Sequence, residues 1–193
     1  MNLLNKTMLI TGASDGIGEV LAVEFSKLGS NIILLGRDPS KLDKVYDRLD
    51  QSFGSQKHLI LQADLNLLSN ESAHEILIAI TEEFNCLDGI IHNAAILGTM
   101  TTLENYELSK WDEVLNINLR APFLLTKTLK LILEGSTLPR IIFTSSGVAN
   151  IGRAFWGAYS VSKFGLKGLA EIFANELETC LLYTSDAADE GLV

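Results

Sequence analysis

The chain has 193 residues, enough for one domain with a sizeable core, and its 47% apolar and 20% charged residues read as globular rather than disordered. A net charge of −9 argues against nonspecific binding to nucleic acid or to an anionic membrane, and no apolar run is long enough to span a bilayer. Two cysteines, Cys86 and Cys180, make neither a disulfide framework nor a metal-ligand spacing, and MNLLNKTMLI lacks the parts of a secretory signal; a cytoplasmic protein is expected.

Short apolar runs alternate with helical patterns, which is the βαβ signature of a parallel sheet. Thr7–Thr11 reads as a strand, followed by a Gly-rich turn and an amphipathic helix from Ile17 to Leu28 that Gly29 closes. Asn31–Leu35 is a second strand. Pro39 opens the next helix, in the first turn where its missing N–H costs nothing, and that helix runs to about Leu49. His58–Gln62 is a third strand, Ser69–Phe84 a helix, and Leu87–His92 begins a fourth strand. A long helical region follows Leu108, with Pro122 near the start of its second half. Arg140–Thr144 is a fifth strand and Tyr159–Glu178 a last helix. The strands are continuous apolar runs, as expected where helices cover both faces of a sheet.

Residues Cys180–Glu190, CLLYTSDAADE, resemble the in-frame translation of a transposon-type sequencing adapter. At about one chance in 20 per position, eleven matches in a row are not coincidence, so 180–193 is expected to be a non-native tail on a domain of residues 1–179. The sheet is then expected to end at the fifth strand, leaving that strand as an edge.

Three segments carry chemistry. Thr11-Gly12-Ala13-Ser14-Asp15-Gly16-Ile17-Gly18 lies between a strand and a helix; glycines there permit positive φ and close backbone approach, and the helix N-terminus offers free N–H groups to a pyrophosphate. A tight turn without a ligand would look similar. Tyr159 and Lys163 stand at i and i+4 on one helix face, where the cation favours phenolate and makes the tyrosine a usable acid/base. A solvated Tyr-Lys face is the bland alternative. Asn118 sits mid-helix, where Asn has poor propensity and needs a reason to be present.

With these segments in order, residues 1–179 resemble the classical short-chain dehydrogenase/reductase family, whose turn reads TGxxxGxG and whose active site carries YxxxK. The resemblance implies an α/β fold: a Rossmann-type, doubly wound parallel sheet, C-terminally truncated. It implies catalytic roles for Tyr159, Lys163, Asn118 and Ser146, the serine thirteen residues before Tyr159; Ser145 is the alternative serine. Asn118 matches the family asparagine that kinks the helix and holds a water for proton relay. Cofactor contacts are implied for Gly12, Ser14, Asp15, Gly16, Ile17, Gly18, Arg37, Asp64, Leu65, Asn93, Ala94, Tyr159 and Lys163. His92-Asn93-Ala94-Ala95 stands where the family has N-N-A-G; His92 is expected to end the strand as a packed polar residue, and Ala95 replaces a glycine. Gly36 and Arg37 end the second strand without an acid, which points to NADP, with NAD as the alternative and Asp15 pulling modestly towards it. The segments LLGRDPSKL, LDGIIHNAAILG and FTSSGVANIGRAFWGAYSVSKFG resemble the bacterial YciK-like oxidoreductases, a subgroup of the family.

The implied reaction is reversible hydride transfer between NADP(H) and a small carbonyl or alcohol, with Val148, Phe155 and Trp156 as a plausible apolar wall. An NADP-binding redox regulator without catalysis, or a scaffold, would be favoured by a degenerate tetrad, and this one is intact. By the same resemblance a homodimer or homotetramer is expected, pairing the long helices through Leu166, Leu169, Ile172 and Phe173, although core packing also accounts for most of these residues.

Overall fold

The structure is a computed structural model that describes residues 3–177 and the backbone of Leu181–Ser185. Six strands form one parallel sheet: β1 (Thr7–Thr11), β2 (Asn31–Gly36), β3 (His58–Gln62), β4 (Gly89–His92), β5 (Arg140–Thr144) and β6 (Leu181–Ser185). Their spatial order is β3-β2-β1-β4-β5-β6, the doubly wound order, so the chain reverses its direction of travel across the sheet between β1 and β4. Alternation along each strand divides the core. Leu9, Ile33, Leu35, Ile90 and Phe143 face one side, while Met8, Ile10, Ile32, Leu34 and Ile91 face the other. The first set packs under α3 (Asn70–Glu83), α5 (Ala121–Glu134) and α6 (Gly157–Glu176); the second packs under α1 (Gly16–Lys27) and α2 (Pro39–Tyr46). Both faces are covered, which is why the strands are apolar throughout.

Local chemistry sets the ends of the helices. Asp15 caps α1 by accepting from Gly16 N at 2.8 Å, and Gly29 follows its last turn at φ +86°. Asp38 caps α2 with Pro39 behind it, and Ser69 and Ser72 cap α3 reciprocally. α2 stops at Tyr46 rather than near Leu49, because Arg48 N and Leu49 N bond three residues back and tighten the chain out of α geometry. The long helical region is α4 (Leu108–Leu115), then a π-turn over Asn116–Arg120, then α5, with Ala121 N reaching back five residues to Asn116 O.

One expectation is corrected. β5 is not an edge: β6 lies beside it in parallel register from Arg140↔Leu181 to Thr144↔Ser185. LLYTS has the apolar, aromatic and β-branched make-up of a strand, and β5 presents a row of backbone groups for it to pair with. The last helix spans Gly157–Glu176 rather than Tyr159–Glu178, because Leu177 has already left helical geometry; the expected domain boundary at Thr179 lies outside the described residues.

Candidate active site

The carboxyl ends of β1 and β4 open a cleft of about 370 Å³ at the point where the strand order reverses. The Gly-rich turn forms its floor, and at Gly12 and Gly18 it has no room for a side chain. A Cβ on Gly12 would stand 2.9 Å from Ala94 Cα, and one on Gly18 would stand 2.3 Å from Gly12 O. Gly12 and Gly16 both hold positive φ, at +65° and +56°. Gly16 differs in that nothing lies within 4 Å of where its Cβ would be, so its backbone faces open space at the N-terminus of α1. That is the surface a pyrophosphate needs. The turn is stitched to the segment after β4. Thr11 Oγ1 accepts from Asn93 N and Ala94 N, each at 3.1 Å, and Asn93 Nδ2 donates to Thr11 O at 3.3 Å.

Of the residues expected at the cofactor, Gly12, Ser14, Asp15, Gly16, Arg37, Asp64, Leu65, Asn93 and Ala94 line this cleft. Gly18 packs behind it, and Ile17 is half exposed outside the lining. Arg37 lines the cleft directly after β2 and forms no ion pair among the described residues. A Cβ at Gly36 would already press on Leu42 Cδ2 at 3.2 Å, so an acidic side chain fits poorly there. Asp15 is occupied by Lys41, whose Nζ is 2.9 Å away; that bond and the Gly16 N–H hold the Asp15 carboxyl below its usual range. Asp64 Oδ1 accepts from Asn66 N at 2.9 Å and so shapes the chain after β3. The open Gly16 backbone, the helix N-terminus and Arg37 fit a nicotinamide dinucleotide.

The second group sets a half-buried tyrosine among buried polar side chains. Tyr159 and Lys163 lie in the first two turns of α6, with Lys163 Nζ 5.6 Å from the tyrosine ring centroid. Lys163 is 2% exposed; burial lowers its pKa to about 8, and its ammonium donates to Thr144 O at 2.7 Å. Ser146, also 2% exposed, begins the turn after β5, and its hydroxyl makes no capping bond, so capping does not account for it. Asn118 sits in the π-turn, 1% exposed. It accepts from Ile96 N at 2.9 Å and donates to Ile96 O at 2.9 Å and to Ser162 Oγ at 3.0 Å. Its side chain therefore ties the segment after β4 to α6.

His92 ends β4 as a packed polar residue, as expected. Its Nε2 lies 2.8 Å from Thr126 Oγ1, its ring stacks on Phe143, and burial pushes its pKa down to about 3, which keeps it neutral. Val148 is core, whereas Phe155 is 55% exposed at φ +71°. Sequence reasoning missed Ser162, Thr144 and Lys41. Ser162 stood inside the Tyr-Lys motif without a reason attached, and the Lys41–Asp15 pair spans two elements that no local spacing relates.

A Rossmann-type sheet with a dinucleotide cleft and a Tyr-Lys pair beside it defines the class of nicotinamide-dependent oxidoreductases. The chain belongs to the short chain dehydrogenase family, whose model matches residues 6–181. The Escherichia coli oxidoreductase YciK is 36% identical over 178 residues, covering 92% of this chain and 70% of that protein. The Aquifex aeolicus 3-oxoacyl-[acyl-carrier-protein] reductase FabG is 32% identical over 180 residues, covering 92% of this chain and 70% of its own length. Among solved structures, a short chain dehydrogenase from Salmonella enterica serovar Typhi superposes with a TM-score of 0.91 at 33% identity, over 95% of this chain and 76% of that one. The NADPH complex of a chain from Escherichia coli CFT073 assigned to the short chain dehydrogenases gives a TM-score of 0.90 at 34% identity, over 96% of this chain and 78% of that one. The chain is thus an NAD(P)-dependent short-chain dehydrogenase/reductase.

Proposed function

We propose that the protein uses NADP(H) to interconvert a small carbonyl compound and its alcohol, with Tyr159 as the general acid/base. Bound in the cleft, the nicotinamide supplies or accepts the hydride at the carbonyl carbon. In the reducing direction Tyr159 Oη gives its proton to the carbonyl oxygen, and in the oxidising direction it takes the alcohol proton back. Lys163, a buried cation 5.6 Å from the ring centroid, favours the phenolate that the proton transfer forms. Ser146 offers a hydroxyl with no capping duty to the same oxygen. Asn118 holds the π-turn and the segment after β4 in place around the site. On this reading the cofactor contacts are made by the nine cleft-lining residues named above and by Lys163. Nothing in the site favours a regulator without catalysis.

The carrying observation for NADP is Arg37, charged, in the cleft lining and outside any ion pair among the described residues, beside a Gly36 that carries no acid. Fluorescence titration with NADPH and NADH tests it. NADPH is expected to bind more tightly, and Arg37→Ala to weaken NADPH selectively by about 1–3 kcal/mol. Equal or tighter NADH binding would overturn the choice.

Self-association through α5 and α6 is proposed on the same footing. Leu166 and Phe173 are core residues here, so the groove that remains for a second copy, about 740 Å³, is lined by Leu119, Phe123, Leu169 and Ile172.

A further inference from the structure

Between Thr102 and Lys110 every side chain is exposed except one, Tyr106. Its side chain meets two glycines from distant parts of the chain. A Cβ on Gly157, the first residue of α6, would stand 3.0 Å from Tyr106 Cδ2 and Cε2. At the tip of the side chain, a Cβ on Gly98 would stand 2.5 Å from Tyr106 Oη and 2.5 Å from Val114 Cγ2. The hydroxyl accepts from Thr99 N at 3.1 Å, and the ring meets Trp111 edge-on with centroids 5.5 Å apart. Next to this wedge, Thr101 and Trp156 form an isolated parallel bridge. Trp156 precedes α6, accepts from Ser160 N at 2.8 Å, and lies 5.9 Å from the Tyr159 ring.

These contacts converge on a short stretch, Trp156 to Ser160, with Tyr159 inside it. α6 starts without a side-chain cap, so its first turn lacks the usual local device for fixing a helix entry. The β4–α4 segment takes that place, and Asn118 holds the segment from its other end through Ile96. We propose that Tyr106 is a positioning residue: it seats the first turn of α6 against the β4–α4 segment and thereby places the Tyr159 phenol beside Lys163. The proposal rests on the reading of Tyr159 as the acid/base. Gly157 is thereby explained, since a larger residue there would displace the ring.

The test uses the full chain labelled with 3-fluorotyrosine, which has four tyrosines. The Tyr159 resonance is assigned by its loss in Tyr159→Phe and followed against pH by fluorine NMR. In the wild type its midpoint is expected below that of free fluorotyrosine. Tyr106→Ala should raise it by about one pH unit, because the phenol loses its fixed place near a cation. NADPH affinity should stay within about threefold, because the Gly-rich turn is untouched. Tyr106→Phe, which keeps the wedge, should stay near the wild type. A folded, NADPH-binding Tyr106→Ala with an unmoved midpoint overturns the inference and leaves the acid/base reading standing. If Tyr106→Ala does not fold, Gly157→Ala decides instead: it presses a methyl onto an intact Tyr106, so a raised midpoint supports the inference and an unmoved one overturns it. A wild-type Tyr159 that titrates with free fluorotyrosine overturns the acid/base reading and this inference together.

Discussion

The two halves of the site are built on opposite principles. The cofactor half, from β1 to the start of α2, is made of backbone: open N–H groups, glycines with no room for a Cβ, and charges left in solvent. Asp15 and Lys41 pair there at 2.9 Å, yet both side chains are more than half exposed, and water and salt screen what they gain. The catalytic half, from the end of β4 to α6, surrounds a half-buried Tyr159 with buried side chains. Asn118, Ser146 and Lys163 are each 2% exposed or less. An ion pair at the surface and a buried lone ammonium therefore differ in consequence: the first tunes binding, while the second weighs on the stability of the whole domain. A surface can accept a ligand by leaving groups open, but an acid/base needs a dry and fixed environment, which costs the fold something.

That contrast can be broken most forcefully at Asn118. Asn118→Ala leaves Ile96 N–H and C=O without their partner and removes the donor to Ser162 Oγ. A buried polar group left unpaired costs about 1–3 kcal/mol, so a loss of about 3–5 kcal/mol is expected in urea unfolding. A loss under about 1 kcal/mol would mean that the catalytic half is not held by its buried polar side chains.

Lys163 sharpens the comparison with an opposite sign. Its folded pKa of about 8 lies below its ordinary 10.5, so the folded state binds this proton less readily than the unfolded chain does. The buried charge thus opposes folding below about pH 8, by an amount of order 3 kcal/mol, and that penalty fades as pH rises from 8 towards 10.5. Lys163→Met should be more stable than the wild type at pH 7, by less than this amount because the bond to Thr144 O is also lost. Its advantage should shrink across the same pH window, followed by thermal unfolding at several pH values. A variant less stable at pH 7 with no pH dependence in its difference would contradict the burial argument.

The halves also differ in how far they could be read from residues. The cofactor turn is contiguous, so Thr11–Gly18 carries its own explanation, and the parallel sheet followed from apolar runs of strand length between helical patterns. The Tyr159–Lys163 pair was legible because i and i+4 share a helix face. What Asn118 does was not legible: its partners, Ile96 and Ser162, lie 22 and 44 residues away, and only the fold brings them together. Tyr106 was invisible for the same reason, since Gly157, which packs against its ring, lies 51 residues further along the chain. The sixth strand was misjudged because origin was taken as a guide to structure, whereas LLYTS has strand chemistry whatever its source.

The acid/base role of Tyr159 is tested most directly by following NADPH oxidation at 340 nm against a panel of small aldehydes and ketones, in the wild type and in Tyr159→Phe, beside NADPH titrations of both. Removing the phenolic proton while leaving the cleft intact should lower turnover by about 10²–10⁴-fold or more, with NADPH affinity changed by no more than a few fold. Near-normal turnover in Tyr159→Phe, with the same substrate and the same bound cofactor, would contradict it.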